Sequence, residues 1–283
     1  MRRVRIFDRL LRVRDEPEPA PSGSQASVPP LLCVHGAGMS SVVFMDLLRR
    51  MTPGRRVIAP DLPGHGQSQR RDGAANLDGY RDTLRALCDA LSLPRVVVIG
   101  HSLGAGLALS LAMADPGRVA GLVLLNGAAK LSVPDEVFGL VQASLPERDS
   151  AAIEGTRADF IDRMPDAFAD LLFSPATSPE LRARWQAMLW SADAATLIDD
   201  FVACRHIDLR DTLRVLQKTW RVPTLCIAGR DDLLVPPSLV AETADLLPGA
   251  ELHVLEDSGH LSHIEQAAAF FPMLDAFVRE KRS

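Results

Sequence analysis

Paired cysteines are the first thing this sequence lacks. Its 283 residues include four, and Cys33, Cys88, Cys204 and Cys226 stand far apart. No C-x-x-C pair and no Cys/His spacing offers a zinc site, so small buried residues in a reducing compartment are expected. A long basic block is also missing, and the formal net charge is -5, which argues against nucleic acid as a partner. No window approaches the roughly 18 consecutive apolar residues of a membrane span. The N-terminal "MRRVRIFDRLLRVRDEPEP" is broken by charge too often to supply a signal peptide's apolar stretch. The expectation is a cytoplasmic protein that meets a small molecule and neither membrane nor nucleic acid, needing no metal and no organic cofactor. A homo-oligomer is left open.

What is present is apolar: 47% of the residues are hydrophobic, gathered in short continuous runs. Val4 to Phe7 and Leu10 to Arg14 suit an edge strand pair, and residues 15–30 form a Pro- and Ser-rich loop. The runs at 30–36, 56–61, 95–101, 119–127, 223–229 and 250–256 then read as buried strands. Helical patterns lie between them at Val42 to Met51, Leu77 to Leu91, Leu103 to Ala114, Ser238 to Leu247 and Ser262 to Arg279. This alternation predicts an α/β fold with a mostly parallel, doubly wound sheet and ligands beyond the carboxyl ends of the strands. Residues 132–215 contain no convincing strand. Helical stretches there, including Ala151 to Arg163, Asp166 to Leu172, Glu180 to Trp190 and Ala194 to Arg205, predict an all-helical insertion. The core is then residues 1–131 and 216–283.

The chemistry is sought where strands end. "VVVIGHSLGAG" (96–106) sets Gly-x-Ser-x-Gly between a strand and a helix, where a tight turn needs small neighbours and the helix N-terminus favours negative charge. Ser102 is thus a candidate nucleophile, although a glycine-rich turn also serves close packing. A serine needs a base and an orienting carboxylate. Asp231 and Asp232 follow one later strand, and His260 and His263 follow the next.

Five segments together resemble the α/β-hydrolase fold family, in its esterase-like branch with a helical cap: "VHGAG" (34–38), "APDLPGHGQS" (59–68), "GHSLG" (100–104), "GRDDLLVP" (229–236) and "SGHLSHIEQ" (258–266). The resemblance implies Ser102 as nucleophile and His260, after Gly259, as base. The acid implied is Asp232, which precedes two variable residues and Val235-Pro236; Asp231 is the second choice. It also implies an oxyanion hole from the backbone N–H groups of Leu103 and Ala37. His263 is expected on a helix surface or behind the site, and His35, His65, His101 and His253 in structural roles.

The implied activity is hydrolysis of a small, largely apolar carboxylic ester. The cap is expected to choose the substrate, with Phe138, Arg184 and Trp185 as pocket candidates. "ARW" (183–185) also resembles a cap feature of hydrolases that cleave carbon–carbon bonds in ring-opening products, where an arginine meets a substrate carboxylate. This sequence lacks that group's "GGGPG" loop and "NSMGG"-type elbow. Cofactor-free haloperoxidase or perhydrolase chemistry uses the same triad, and a non-catalytic binding protein on this fold is the remaining alternative.

Overall fold

The computed structural model describes residues 1–16, 28–51, 55–70, 75–143, 170–189, 191–192 and 194–280. The expected helix Ala151 to Arg163 and most of Asp166 to Leu172 lie outside them. Eight strands form one sheet: β1 (Arg2–Ile6), β2 (Arg9–Glu16), β3 (Leu31–Val34), β4 (Val57–Pro60), β5 (Val96–His101), β6 (Val119–Leu125), β7 (Thr224–Gly229) and β8 (Glu251–Leu255). Their spatial order is β1-β2-β4-β3-β5-β6-β7-β8. β1, β2 and β4 pair antiparallel, and every neighbour from β4 to β8 pairs parallel. Strand order reverses between β3 and β5, where Leu31 faces Val97 and Val34 faces Gly100. In an open α/β sheet that switch point is where a crevice forms.

Parallel strands β3 to β7 read as continuous apolar runs because both faces are covered; β8, at the sheet edge, is exposed at Glu251 and Leu252 and is not the fully buried strand expected. Leu32, Val34 and Val98 face one apolar layer with helices α2 (Leu77–Ala90) and α3 (Leu103–Ala114). Leu31, Cys33, Val97 and Ile99 face the other, with α1 (Met45–Met51) and the C-terminal helix. The stretch from Val42 starts as a 3-10 turn, Ser41–Phe44, before α1. β6 stops at Leu125, short of the expected residue 127, because Asn126 takes φ 46 and leaves the strand. Between β6 and β7 the described residues hold helices only: α4 (Asp135–Ala143), α5 (Pro179–Leu189), α6 (Ala194–His206) and α7 (Arg210–Leu216). α8 (Pro237–Leu246) links β7 to β8. The expected single C-terminal helix is two, α9 (Ser262–Glu265) and α10 (Ala267–Glu280). They separate at Gln266, whose ψ of 44 leaves the helical region and whose side chain donates to the Asp257 carbonyl. Among the described residues no helix is long and apolar enough to cross a membrane.

Candidate active site

Ser102 sits between β5 and α3 with φ 55 and ψ -118. A non-glycine residue rarely adopts that conformation, and here the surroundings fix it. The Ser102 amide donates to the Leu125 carbonyl of β6 (2.9 Å). A Cβ at Gly100 would lie 2.2 Å from the Gly104 carbonyl oxygen, and one at Gly104 would lie 2.1 Å from that of Val34. Both glycines are therefore required for α3 to leave the sheet so abruptly.

β7 and the loop after β8 bring the other two groups together. His260 Nδ1 lies 2.9 Å from Asp232 Oδ2 and 3.1 Å from Oδ1, and both residues are buried. Asp232 Oδ1 accepts from the amides of Leu234 and Val235 (2.9 Å each), and Oδ2 accepts from Asn126 Nδ2 (3.0 Å). The carboxylate is thus solvated by the protein rather than by water. With the Nδ1 proton committed to Asp232, His260 Nε2 is the nitrogen left to act as a base. Asp231 faces elsewhere and accepts from Ser174 Oγ (2.6 Å).

Ser102, His260 and Ala37 border one cavity of about 40 Å³, walled further by Leu131, Val133, Leu172, Phe201, Cys204 and Leu234. That is room for about one water molecule. Among the described residues, the Ala37 and Leu103 amides donate to no other group. A wider groove of about 660 Å³, between Arg95, Met113, Trp220 and Pro223, opens at the opposite, amino ends of the strands.

A family model described as the alpha/beta hydrolase fold matches residues 29–267. The chain belongs to the α/β-hydrolase fold family. It is 30% identical over 260 residues to the 2-hydroxymuconate semialdehyde hydrolase of Pseudomonas sp. (strain CF600), spanning 89% of this chain and 87% of that one. Among solved structures, the enol-lactonase of Burkholderia xenovorans LB400 superposes with a TM-score of 0.81 at 22% identity, covering 98% of this chain and 100% of the other. A thermophilic esterase from Thermogutta terrifontis superposes with a TM-score of 0.79 at 23% identity, covering 99% and 98%.

The hydrolase gathers further histidines behind the site. His101 donates from Nε2 to the His260 carbonyl (2.8 Å); burial, reinforced by the charges of His260 and His263, holds it well below the ordinary imidazole value. His263 is not on a helix surface. It is buried, with Nε2 3.2 Å from the Val43 carbonyl, and burial pushes it down to about 4. His35 accepts from the Leu62 amide at Nε2 (2.9 Å) and turns Nδ1 to the Gly36 carbonyl (2.8 Å). Burial first, then the charge of His65, lowers His35 to about 4. His65 behaves oppositely: burial pushes it down, but the charge and hydrogen bond of Asp200 outweigh that and raise it.

The three cap residues expected at the pocket do not line this cavity. Trp185 is buried in an apolar layer. Arg184 is exposed, its guanidinium 5.9 Å from the Trp185 ring. Phe138 is half-buried beneath Arg205 (5.0 Å). Behind Asp232 and His260 stand two residues that the sequence did not single out. Asn126 donates to Asp232 and to the Gly259 carbonyl (3.0 Å each) and accepts from Ser262 Oγ. A polar residue directly after the β6 run, between the strands carrying Ser102 and Asp232, was the available signal. Glu265 accepts from the amides on either side of His260, Gly259 (2.9 Å) and Leu261 (3.3 Å), and from the Ser174 amide (2.7 Å). The His260 amide donates to the Leu172 carbonyl (2.9 Å). The β6–β7 segment is therefore fastened to the histidine loop.

Proposed function

We propose that this hydrolase cleaves small, largely apolar carboxylic esters or lactones through Ser102, His260 and Asp232. Ser102 Oγ attacks the carbonyl carbon as its proton passes to His260 Nε2, and the Ala37 and Leu103 amides receive the oxyanion. Collapse of that intermediate expels the alcohol, protonated by His260, and leaves an acyl-Ser102 that water hydrolyses by the same steps. Asp232 orients the imidazole and stabilises its cation. In this reading residues 132–215 cap the site, and the substrate parts their apolar side chains from Ser102.

The observation that carries the ester reading is the cavity's lining, which holds no Arg, Lys, Asp or Glu among the described residues. A diketo acid brings a carboxylate, and an uncharged wall leaves it unpaired at high cost. The similarity to 2-hydroxymuconate semialdehyde hydrolase favours carbon–carbon cleavage as the second reading. The two are separated by kcat/KM for p-nitrophenyl butyrate and for a vinylogous diketo acid. The ester reading requires the butyrate to be the better substrate. A preference for the diketo acid that Arg184→Ala abolishes would reverse it.

A further inference from the structure

Asp200 lies on α6, in the segment between β6 and β7, and is completely buried, as is its partner His65. A carboxylate in such a place requires several donors, and it has three. Oδ2 accepts from the Gly38 amide (2.9 Å) and lies 2.7 Å from His65 Nε2; Oδ1 accepts from the Tyr80 hydroxyl (2.6 Å). The second His65 nitrogen faces the Pro63 carbonyl (3.1 Å), so both ring nitrogens meet acceptors and the imidazolium is the form that satisfies them. Burial alone pushes Asp200 up, but His65's charge and the bonds from His65, Tyr80 and Gly38 leave its carboxyl below the ordinary range.

The bond to Gly38 gives this pair its consequence. Gly38 follows Ala37 and holds a left-handed φ of 67. Its amide is bound by Asp200, while its carbonyl accepts from Ser191 (2.9 Å) and Ala192 (3.2 Å). All three partners come from the β6–β7 segment. The residue beside Ala37 is thus clamped at both ends of its backbone by a segment distant in sequence.

We propose that Asp200 is a positioning residue that fixes the oxyanion loop through the Gly38 amide, so that the Ala37 N–H is aimed before substrate arrives. This rests on the hydrolase reading above. A donor displaced by about 1 Å loses most of its value to a transition state and little of its value to substrate binding. The loss therefore falls on kcat rather than KM.

The experiment compares wild type, Asp200→Asn and Tyr80→Phe in p-nitrophenyl butyrate kinetics, in affinity for phenylboronic acid, and in thermal unfolding. Phenylboronic acid forms a tetrahedral adduct with a serine and sets one oxygen in the oxyanion hole. Asp200→Asn is expected to lower kcat by roughly tenfold to a hundredfold with KM nearly unchanged, and to weaken boronate binding in parallel. Tyr80→Phe removes a bond to the oxygen that does not hold Gly38, so it is expected to lower Tm while leaving kcat and boronate affinity within about twofold. Should Asp200→Asn not fold, Asp200→Glu, which keeps the charge but displaces the oxygens, is read in the same way. Normal kcat and boronate affinity in the folded Asp200 variant, beside a wild type that a fluorophosphonate labels at Ser102, would overturn this inference alone. A wild type inert to both the fluorophosphonate and the ester would overturn the hydrolase reading and this inference with it.

Discussion

Asn126 does not line the cavity, yet its side-chain amide bridges the Asp232 carboxylate and the Gly259 carbonyl beside His260. Asn126→Ala leaves one carboxylate oxygen without that donor and frees the loop. The expected result is a fall in kcat of roughly tenfold to a hundredfold and a loss of about 1–3 kcal/mol in stability, read by steady-state kinetics and denaturant unfolding. The two adjacent aspartates should separate more sharply. Asp232→Asn is expected to cost about 10³- to 10⁴-fold in kcat because the imidazole loses its orienting acceptor. Asp231→Asn releases Ser174 Oγ and should stay within about tenfold of wild type. That Asp232 and His260 meet, beside the cavity that Ser102 borders, was legible because each of the three lies within a few residues after a strand run. The parts played by Asn126 and Asp200 were not, since a polar residue's partner depends on which elements the fold brings alongside it. Asp200 did leave a trace, a carboxylate at helical spacing among Leu197, Phe201 and Cys204 on the buried side of α6.

Among the elements, α3 is buried from Leu103 to Ala112 and packs so closely that Gly104 has no room for a methyl group against the Val34 and His35 carbonyls. Gly104→Ala must push the helix off β3 or distort the turn that carries Ser102. A destabilisation of about 3 kcal/mol or more is expected by chemical denaturation, together with loss of the fluorophosphonate labelling expected at Ser102. A fully active Gly104→Ala protein of normal stability would show that this packing is not needed. Strand and helix order in the core was legible from the apolar runs, while boundaries moved at Asn126 and Gln266, where a local interaction intervened, and at the amino-terminal pair, where β1 begins at Arg2 and β2 runs on to Glu16, into the stretch expected as loop. The side chains of α5 were not legible. Its sequence "PELRARWQAML" mixes charge and bulk on every side, so no clear stripe fixes its rotation, and the fold turns Arg184 outward and Trp185 inward.

At the scale of the whole molecule, buried histidines set the response to pH. His35 and His263 are held down to about 4 and His101 well below 6.5. Groups with depressed values contribute stability that is present above 6.5 and lost as pH falls through the folded values. His65, raised by Asp200 and facing His35, Tyr80 and Asp61 as well, acts in the opposite sense, with its contribution complete below 6.5 and lost at high pH. Three histidines and the Asp200 carboxyl, also held down, against His65 predict a net loss of stability on acidification, seen as a lower urea midpoint at about pH 4.5 than at about pH 7. Asp200→Asn should narrow its deficit relative to wild type as pH rises above 6.5, because the unfolded chain then gives up the His65 proton and the advantage that pairing with Asp200 gives the folded wild type diminishes. Whether Ser102 is an activated nucleophile is read by fluorophosphonate labelling located by peptide mass spectrometry. One adduct is expected, on Ser102, absent in Ser102→Ala and strongly slowed in His260→Ala. No adduct on the folded wild type, or equal labelling of Ser102→Ala, would contradict that role.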